Sequence, residues 1–533
     1  MSADYFIINS ESFFTKLTAK LNNIVQIELM LDKACVEIEE FQGQAFDITI
    51  KPGFLYAKIL NKSPQQVNEM LEKAILALDE IESLEIVKGY INIKLRAKAL
   101  EQIIEEPLDI QANGVKVKID FASVNPTGPM HAGHLRMCVI ADTLSNLLLL
   151  GGFKVVKEYY INDTGGQAAK LVDAIYAQYE KLTQKRDNVE STEYPGEYIA
   201  ELAEQLTHME LPKQQTEIAE YIRHFATSSL LAEITKTLTA LKINHDEYFS
   251  EHSMMMQGSI INTLDMLKDK NLTQFIQLDN PIKYQKTSKQ ACVYALKTST
   301  GPKALTKDNQ EHTYLLADIA LHLKRAQESD WIIDCFGADH AEHGKTLVEI
   351  MSLLTDAKLS IKTCQMVAFV KNGRQFKMSK RAGNYITAQD IIDAVGCDII
   401  RTQMLSRTAN SQMELDVVKV MQLDENSPLF YMQYAHARCC SLLAKNCSSI
   451  GALDDVRKLI IKMGFYHHAL KTAIKTLEPH HFFTYILDLA QIFHKHWNLN
   501  IKLTEYKQVI SRLQSLLEIG LNAMGLTACK HMN

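Results

Sequence analysis

Glycine and proline are scarce, with 22 and 11 in 533 residues, too few for a collagen-like, low-complexity or largely disordered chain. No apolar run approaches the roughly 18 residues of a membrane span; the densest, Leu147-Leu148-Leu149-Leu150, stops at Gly151-Gly152. The start, MSADYFIINSES, has no basic segment ahead of an apolar one and does not read as an export signal. The ten cysteines are scattered and include no Cys-x-x-Cys pair, which disfavours a disulfide framework and a structural zinc site. The expectation is a soluble, cytoplasmic protein with reduced thiols, no bound zinc or other metal and no membrane partner.

Positive charge is also lacking, with 57 Lys+Arg against 63 Asp+Glu and a net charge of −6. The average hides an asymmetry. Residues 401–533 hold 15 basic and 10 acidic residues and eight of the eighteen histidines, so the rest of the chain carries −11. A basic C-terminal quarter points to a polyanionic partner.

What is present is length, enough for about three or four domains. Residues 1–105 mix helical spacing (Phe13, Leu17, Leu21, Ile24) with strand-like runs at 46–50 and 90–95, a small α+β domain. After a short linker, residues 114–400 read as an α/β domain. Val115, Val117, Ile119 and Phe121 alternate, a Pro/Gly turn follows, and a helix runs over 134–150. Further strands are expected at 154–160, 331–336 and 365–370, with a mostly helical insertion at about 167–260. Beyond about 400 strand signals end, and residues 401–533 read as an all-helical bundle with helices at 429–444, 456–474 and 482–497.

Two segments carry chemistry. Asn125-Pro126-Thr127-Gly128-Pro129-Met130-His131-Ala132-Gly133-His134 joins a strand to a helix N-terminus, the place where an open parallel sheet binds phosphate. His131 and His134 are spaced to donate to the same phosphate oxygens, and Gly133 leaves room for a purine near the backbone. Lys377-Met378-Ser379-Lys380-Arg381-Ala382-Gly383-Asn384 is a basic loop able to close over a polyphosphate.

HAGH and KMSKR resemble the paired signatures of class I aminoacyl-tRNA synthetases. The surrounding residues resemble the arginyl-tRNA synthetase family: DFASVNPTGPMHAGH (120–134), EYYINDTGGQ (158–167), YPGEYI (194–199), TYLLADIALH (313–322), FGADH (336–340), KMSKRAGN (377–384), MLSR (404–407), YMQYAHAR (431–438) and EPHH (478–481), spread over most of the chain in the family's order. The resemblance implies a Rossmann-type catalytic domain between an N-terminal tRNA-contacting domain and a C-terminal anticodon-binding domain. It also implies a monomer that joins L-arginine to tRNA(Arg) through an arginyl-adenylate, using ATP with Mg2+.

Recognition of a guanidinium calls for carboxylates that accept its planar fork. Asp120 ends the first strand, and Tyr314 and Asp318, four apart, share a helix face. The resemblance implies that Asp120, Asn125, Tyr314 and Asp318 line the arginine pocket. It places ATP on His131, Gly133, His134, Gly337, Asp339, His340, Lys377, Met378, Ser379 and Lys380, with His131, His134, Lys377 and Lys380 catalytic. Within the anticodon-binding domain that the resemblance implies, Tyr431, Gln433, Tyr434, His436 and Arg438 are candidates to stack and pair with unstacked bases, as single-stranded RNA recognition requires; the resemblance also implies that the strand carrying Tyr90 and Asn92 reads an outer-corner base. His343 stands where the family leads one to expect an aromatic or an amide. Another class I member, an inactive synthetase-like RNA binder and a small-molecule adenylyl-transferring ligase are the alternatives. A glutamate pocket would present cations where Asp120 and Asp318 stand, and the HAGH histidines and KMSKR lysines are intact.

Overall fold

The computed structural model describes residues 12–183, 196–278, 291–307, 311–371, 374–375, 386–421, 427–445, 451–499 and 501–532, which fall into two compact units. One comprises residues 114–145 and 153–422; the other brings residues 7–113 and 146–152 together with 423–533.

The first unit is built on five parallel strands in the order Lys358–Cys364, Trp331–Gly337, Lys116–Asp120, Lys154–Ile161 and Glu247–Ser250. The first strand in sequence is central. The chain builds outward on one side and then crosses to the other, so the sheet has its switch point between Lys116–Asp120 and Trp331–Gly337, where α/β proteins bind ligands beyond the carboxyl ends of the strands. The α/β expectation is met. The helices Gly165–Leu182, Glu197–Thr207 and Gln215–Ala240 bury Leu171, Ile175, Leu202, Leu206, Ile222 and Leu230 in a core of their own.

Two strand expectations need correction. The strand expected at 365–370 is present as Val367–Lys371 but belongs to a separate three-stranded sheet, and the strand that completes the parallel sheet, Lys358–Cys364, was not expected. Strands also continue past residue 400, since Met413–Asp416 pairs in parallel with Val367–Lys371. The lysines in KLSIKTC and the brevity of MELD hide both from a reading by apolar alternation. Arg136, fully buried, ties the helix Leu135–Leu150 to this region by donating to the carbonyl oxygens of Thr408 at 2.7 Å and Ser411 at 2.6 Å.

In the second unit, an antiparallel sheet ordered Glu39–Glu40, Ile48–Ile50, Tyr90–Leu95 and Ile81–Val87 is covered by helices that include Phe13–Glu28 and Pro64–Leu76. The latter starts with Pro64 behind a reciprocal Ser63/Gln66 cap. The C-terminal helices Pro428–Leu443, Arg457–Gly464, Tyr466–Thr476, His480–Asn498 and Lys507–Ala523 pack within the same unit. Ion pairs Arg457–Asp47 (2.7 Å), Lys462–Glu40 (3.0 Å) and Arg512–Glu106 (3.0 Å) join them to the N-terminal residues. No helix among the described residues is long and apolar enough to cross a membrane.

Candidate active site

Beyond Asp120 the chain turns sharply, with Ala122 at φ 57°, and three side chains from distant segments hold the turn by its carbonyls. Tyr159 donates its hydroxyl to Val124 O at 2.6 Å, Tyr198 donates to Thr127 O at 2.9 Å, and His245 Nε2 lies 3.1 Å from Phe121 O. Tyr198 belongs to the YPGEYI stretch, whose part in the site is thus to support the turn. Burial drives the His245 pKa down to about 4, so the ring is neutral near pH 7 and its Nε2–H donates.

The turn ends in a short 3-10 helix, Ala132–His134, capped by His131 Nδ1 accepting from the Gly133 N–H at 3.1 Å. The His131 and His134 rings lie tilted by 33° with centroids 3.7 Å apart. A Cβ on Gly133 would stand 2.7 Å from Met366 Cε and 2.8 Å from His131 Cε1, so a side chain there would displace the His131 ring and the end of Met366. Residues just past the basic loop are hydrogen-bonded to this turn. Ala388 donates to Met130 O at 2.7 Å, Ala132 donates to Ile386 O at 3.3 Å, and His131 pairs with Thr387 in a β-bridge. Thr387 also caps the helix Ala388–Val395 with Asp390. The exit of KMSKRAGN is therefore pinned to HAGH; Lys377, Met378, Ser379 and Lys380 themselves lie outside the described residues. Gly337 precedes a second 3-10 turn, Ala338–His340, at the end of the neighbouring strand, and Asp339 and His340 are exposed there.

The acidic wall is built on the helix Tyr314–Glu328, where Asp318, His322 and Arg325 recur at helical spacing on one face. Asp318 Oδ2 lies 2.6 Å from His343 Nε2, and both side chains remain partly open to solvent. Tyr314, one turn earlier, is exposed. Asn125 donates to Gln167 at 3.2 Å.

Asp120 differs from its expected role as an open guanidinium ligand. It is buried, with Oδ2 taken by Arg325 at 2.7 Å and Oδ1 by the Ser123 hydroxyl at 2.5 Å. Arg325 also reaches Glu158 (2.7 Å) and Asp334 (3.1 Å), and His322 bridges the Asp318 carbonyl and Asp334, each at 2.6 Å. Burial pushes the Asp120 carboxyl up against the pull of Arg325. Burial also acts to raise Asp334, yet His322 and Arg325 together hold it below its ordinary value.

Glu251 is a residue that reading the sequence missed. It opens a short helix after the strand Glu247–Ser250, is 3% exposed, and its Oε2 accepts no hydrogen bond. Burial raises its carboxyl, as do the charges of Asp318 and Asp163, while the hydroxyls of Thr164 and Tyr160 oppose the shift. Burial and the nearby acidic charges favour the neutral form of Glu251, and a cation with N–H donors reaching its unsatisfied oxygen would offset both. Among the described residues no group of three or more His, Cys, Asp or Glu is placed to hold a metal ion.

In the second unit, Tyr431, Tyr434 and Arg438 lie half-buried on one helix. The Arg438 guanidinium sits between the rings of Tyr434 and Trp497, 4.1 and 4.0 Å from their centroids, and Tyr434 also stacks on Phe430 and His494. Trp497 and His494 complete this ring-and-cation cluster. Gln433 and His436 depart from it, because both are buried and bind the carbonyls of Thr527 (2.9 Å) and Cys529 (2.8 Å). They hold the C-terminal segment and do not face a base. Tyr90 is exposed beside Phe54, whereas Asn92 is buried and accepts from Thr49 at 2.9 Å.

Three family descriptions match consecutive stretches: Arginyl tRNA synthetase N terminal domain over 13–95, tRNA synthetases class I (R), catalytic domain, over 100–429, and DALR anticodon binding domain over 432–532. The chain is 33% identical to an arginine–tRNA ligase of Wolbachia sp. subsp. Brugia malayi, over 85% of this chain and 84% of that one. It is 31% identical to an arginine–tRNA ligase of Roseobacter denitrificans, over 91% and 92%. Thermus thermophilus arginyl-tRNA synthetase shares the fold, with a TM-score of 0.77 at 19% identity over 97% of this chain and 100% of that one. With its HAGH turn at the end of a strand of the parallel sheet and with these matches along its length, the chain belongs to the arginyl-tRNA synthetase family.

Proposed function

We propose that this chain attaches L-arginine to tRNA(Arg) in two ATP-driven steps, and that the observation carrying its amino-acid choice is the pair of carboxylates Asp318 and Glu251. A buried carboxylate oxygen without a donor costs about 1–3 kcal/mol until a partner arrives. A guanidinium supplies several N–H donors and a positive charge at once, while a glutamate side chain would add a third negative charge. Asn125, Tyr314, Asp318 and Glu251 line this pocket, and Asp120 stands behind it as the partner of Arg325.

Arginine's carboxylate attacks the α-phosphorus of ATP, which enters as its Mg2+ complex; pyrophosphate leaves and arginyl-adenylate remains. His131 and His134 donate to phosphate oxygens, Gly133 admits the purine, and Gly337, Asp339 and His340 meet the nucleoside. Lys377, Met378, Ser379 and Lys380 close over the phosphates, where Lys377 and Lys380 stabilise the charge on the departing pyrophosphate. The 2′-hydroxyl of the terminal adenosine then attacks the activated carbonyl carbon, and AMP leaves. Tyr431, Tyr434, Arg438, His494 and Trp497 offer anticodon bases rings and a cation on which to stack, and Tyr90 meets a base from the N-terminal residues. The working division is 1–105 for outer-corner contact, 114–422 for catalysis and 423–533 for the anticodon, in a cytoplasmic monomer; the boundary expected at 400 moves because the strand Met413–Asp416 pairs with Val367–Lys371.

The test is charging of unfractionated tRNA with each of the twenty amino acids. Incorporation restricted to arginine, abolished in Lys380→Ala, weakened in arginine KM by Asp318→Asn and in tRNA KM by Arg438→Met, is the expected result. Incorporation of a different amino acid would overturn the assignment of the acidic wall.

A further inference from the structure

Asp318 already has a side-chain partner, His343 Nε2 at 2.6 Å, and the charge of that partner decides what Asp318 can offer. A neutral imidazole donates one N–H to Oδ2, fixes the carboxylate plane and leaves Oδ1 free to accept from a guanidinium. An imidazolium neutralises Asp318 and sets a cation beside the path of a second cation, which like-charge repulsion disfavours. Because the pair is open to solvent, a proton can leave as substrate enters.

The surrounding titratable groups are otherwise engaged or belong to other contacts. On the helix of His343, Glu342 pairs with Lys303 at 3.0 Å, and Lys345 lies farther along. The helix Tyr314–Glu328 contributes Asp318, Arg325 and the buried His322; the adjacent strand contributes Asp334, bound by His322 and Arg325. Asp339 and His340 from the 338–340 turn face each other at 3.5 Å. The strand Lys358–Cys364 brings Lys362, and Glu251 and Tyr160 act on Asp318 from the sheet.

We propose that His343 is a positioning residue that couples arginine binding to proton release: neutral His343 orients Asp318 for the guanidinium, and protonated His343 occupies Asp318 in its place. The proposal rests on the arginine reading of the pocket.

The experiment is the arginine KM in charging, at saturating ATP and tRNA, from about pH 8 down to about pH 6, together with calorimetric arginine binding in two buffers of unlike ionisation enthalpy. KM should rise with acidification, by up to about tenfold per pH unit, while kcat changes less, and calorimetry should report release of a fraction of a proton that grows as pH falls. His343→Gln keeps an N–H for Asp318 Oδ2 but does not titrate, so the slope and the proton release should vanish while KM stays near the wild-type value at high pH. His343→Ala should raise KM at every pH without a slope. A flat wild-type profile, or a slope surviving in His343→Gln, would overturn the proposal and assign any proton to Glu251, His322 or His340. Failure of the wild type to charge arginine at about pH 8 would instead overturn the arginine reading itself.

Discussion

Replacing Arg325 with Met should destabilise the parallel-sheet unit more than almost any other single change. Its guanidinium is 2% exposed and holds Asp120, Glu158 and Asp334 together, with contacts at 2.7, 2.7 and 3.1 Å. Lys118 also pairs with Glu158 at 3.4 Å, but it is shared with Glu247 and Glu328 and can stand in for Arg325 at only one of the three carboxyls. Breaking a buried pair by removing one partner costs about 3–5 kcal/mol, a large share of the 5–15 kcal/mol that typically holds a domain folded. The sign of its pH dependence is also set. Without the cation Asp120, which burial already pushes up, loses the charge that opposes the shift, while Asp334 keeps His322; the folded state therefore binds a proton at Asp120 more readily than the unfolded chain does, and stability falls as pH rises. The deficit should be full near pH 7 and shrink toward about pH 5. The chain has two tryptophans, Trp331 in this sheet and Trp497 in the other unit; in a Trp497→Phe background, Trp331 fluorescence therefore follows this unit alone during urea unfolding. Arg325→Met should lower the midpoint by about 1 M or more at pH 7. A loss below about 1 kcal/mol, or one that does not vary with pH, would refute the reasoning.

Two further outcomes follow from the turn. Gly133→Ala places a methyl against Met366 and His131, and should cut kcat/KM for ATP by about tenfold or more, about 1.4 kcal/mol, with the unfolding midpoint barely changed; an active variant would show that the turn yields. His245, held neutral by burial with a pKa of about 4, should cost the fold about 3 kcal/mol as pH falls from about 6.5 to 4, since the unfolded chain takes up the proton first. His245→Gln should remove that part of the acid sensitivity in pH-dependent urea titrations, and an unchanged pH profile would place the charge elsewhere.

Local signals made much of the molecule legible. The alternation from Val115 to Phe121, the Pro/Gly turn and the apolar periodicity that follows correspond to the strand Lys116–Asp120 and the helix Leu135–Leu150. His131, Gly133 and His134 stand together at the turn their spacing implied. Legibility failed where a residue's environment comes from far along the chain. Asp120 looked like a free carboxylate at a strand end, and only folding brings Arg325 to it. Glu251 carried no motif signal, since burial and a missing donor are properties of its surroundings. In YMQYAHAR, Tyr431, Tyr434 and Arg438 share one side, while Gln433 and His436 turn in toward the C-terminal carbonyls, a division set by the helices packed around them.

The sequence by itself determined the family, the class of sheet, the position of the HAGH turn between a strand and a helix, and the mostly helical character of the C-terminal residues, because each is written in short-range spacing and in residue types. Tertiary structure decided which charges meet. It assigned Asp120 to Arg325, Asp318 to His343, and left an oxygen of Glu251 without a donor. Ion pairing and desolvation depend on distance in space and on exclusion of water, and neither follows from separation along the chain.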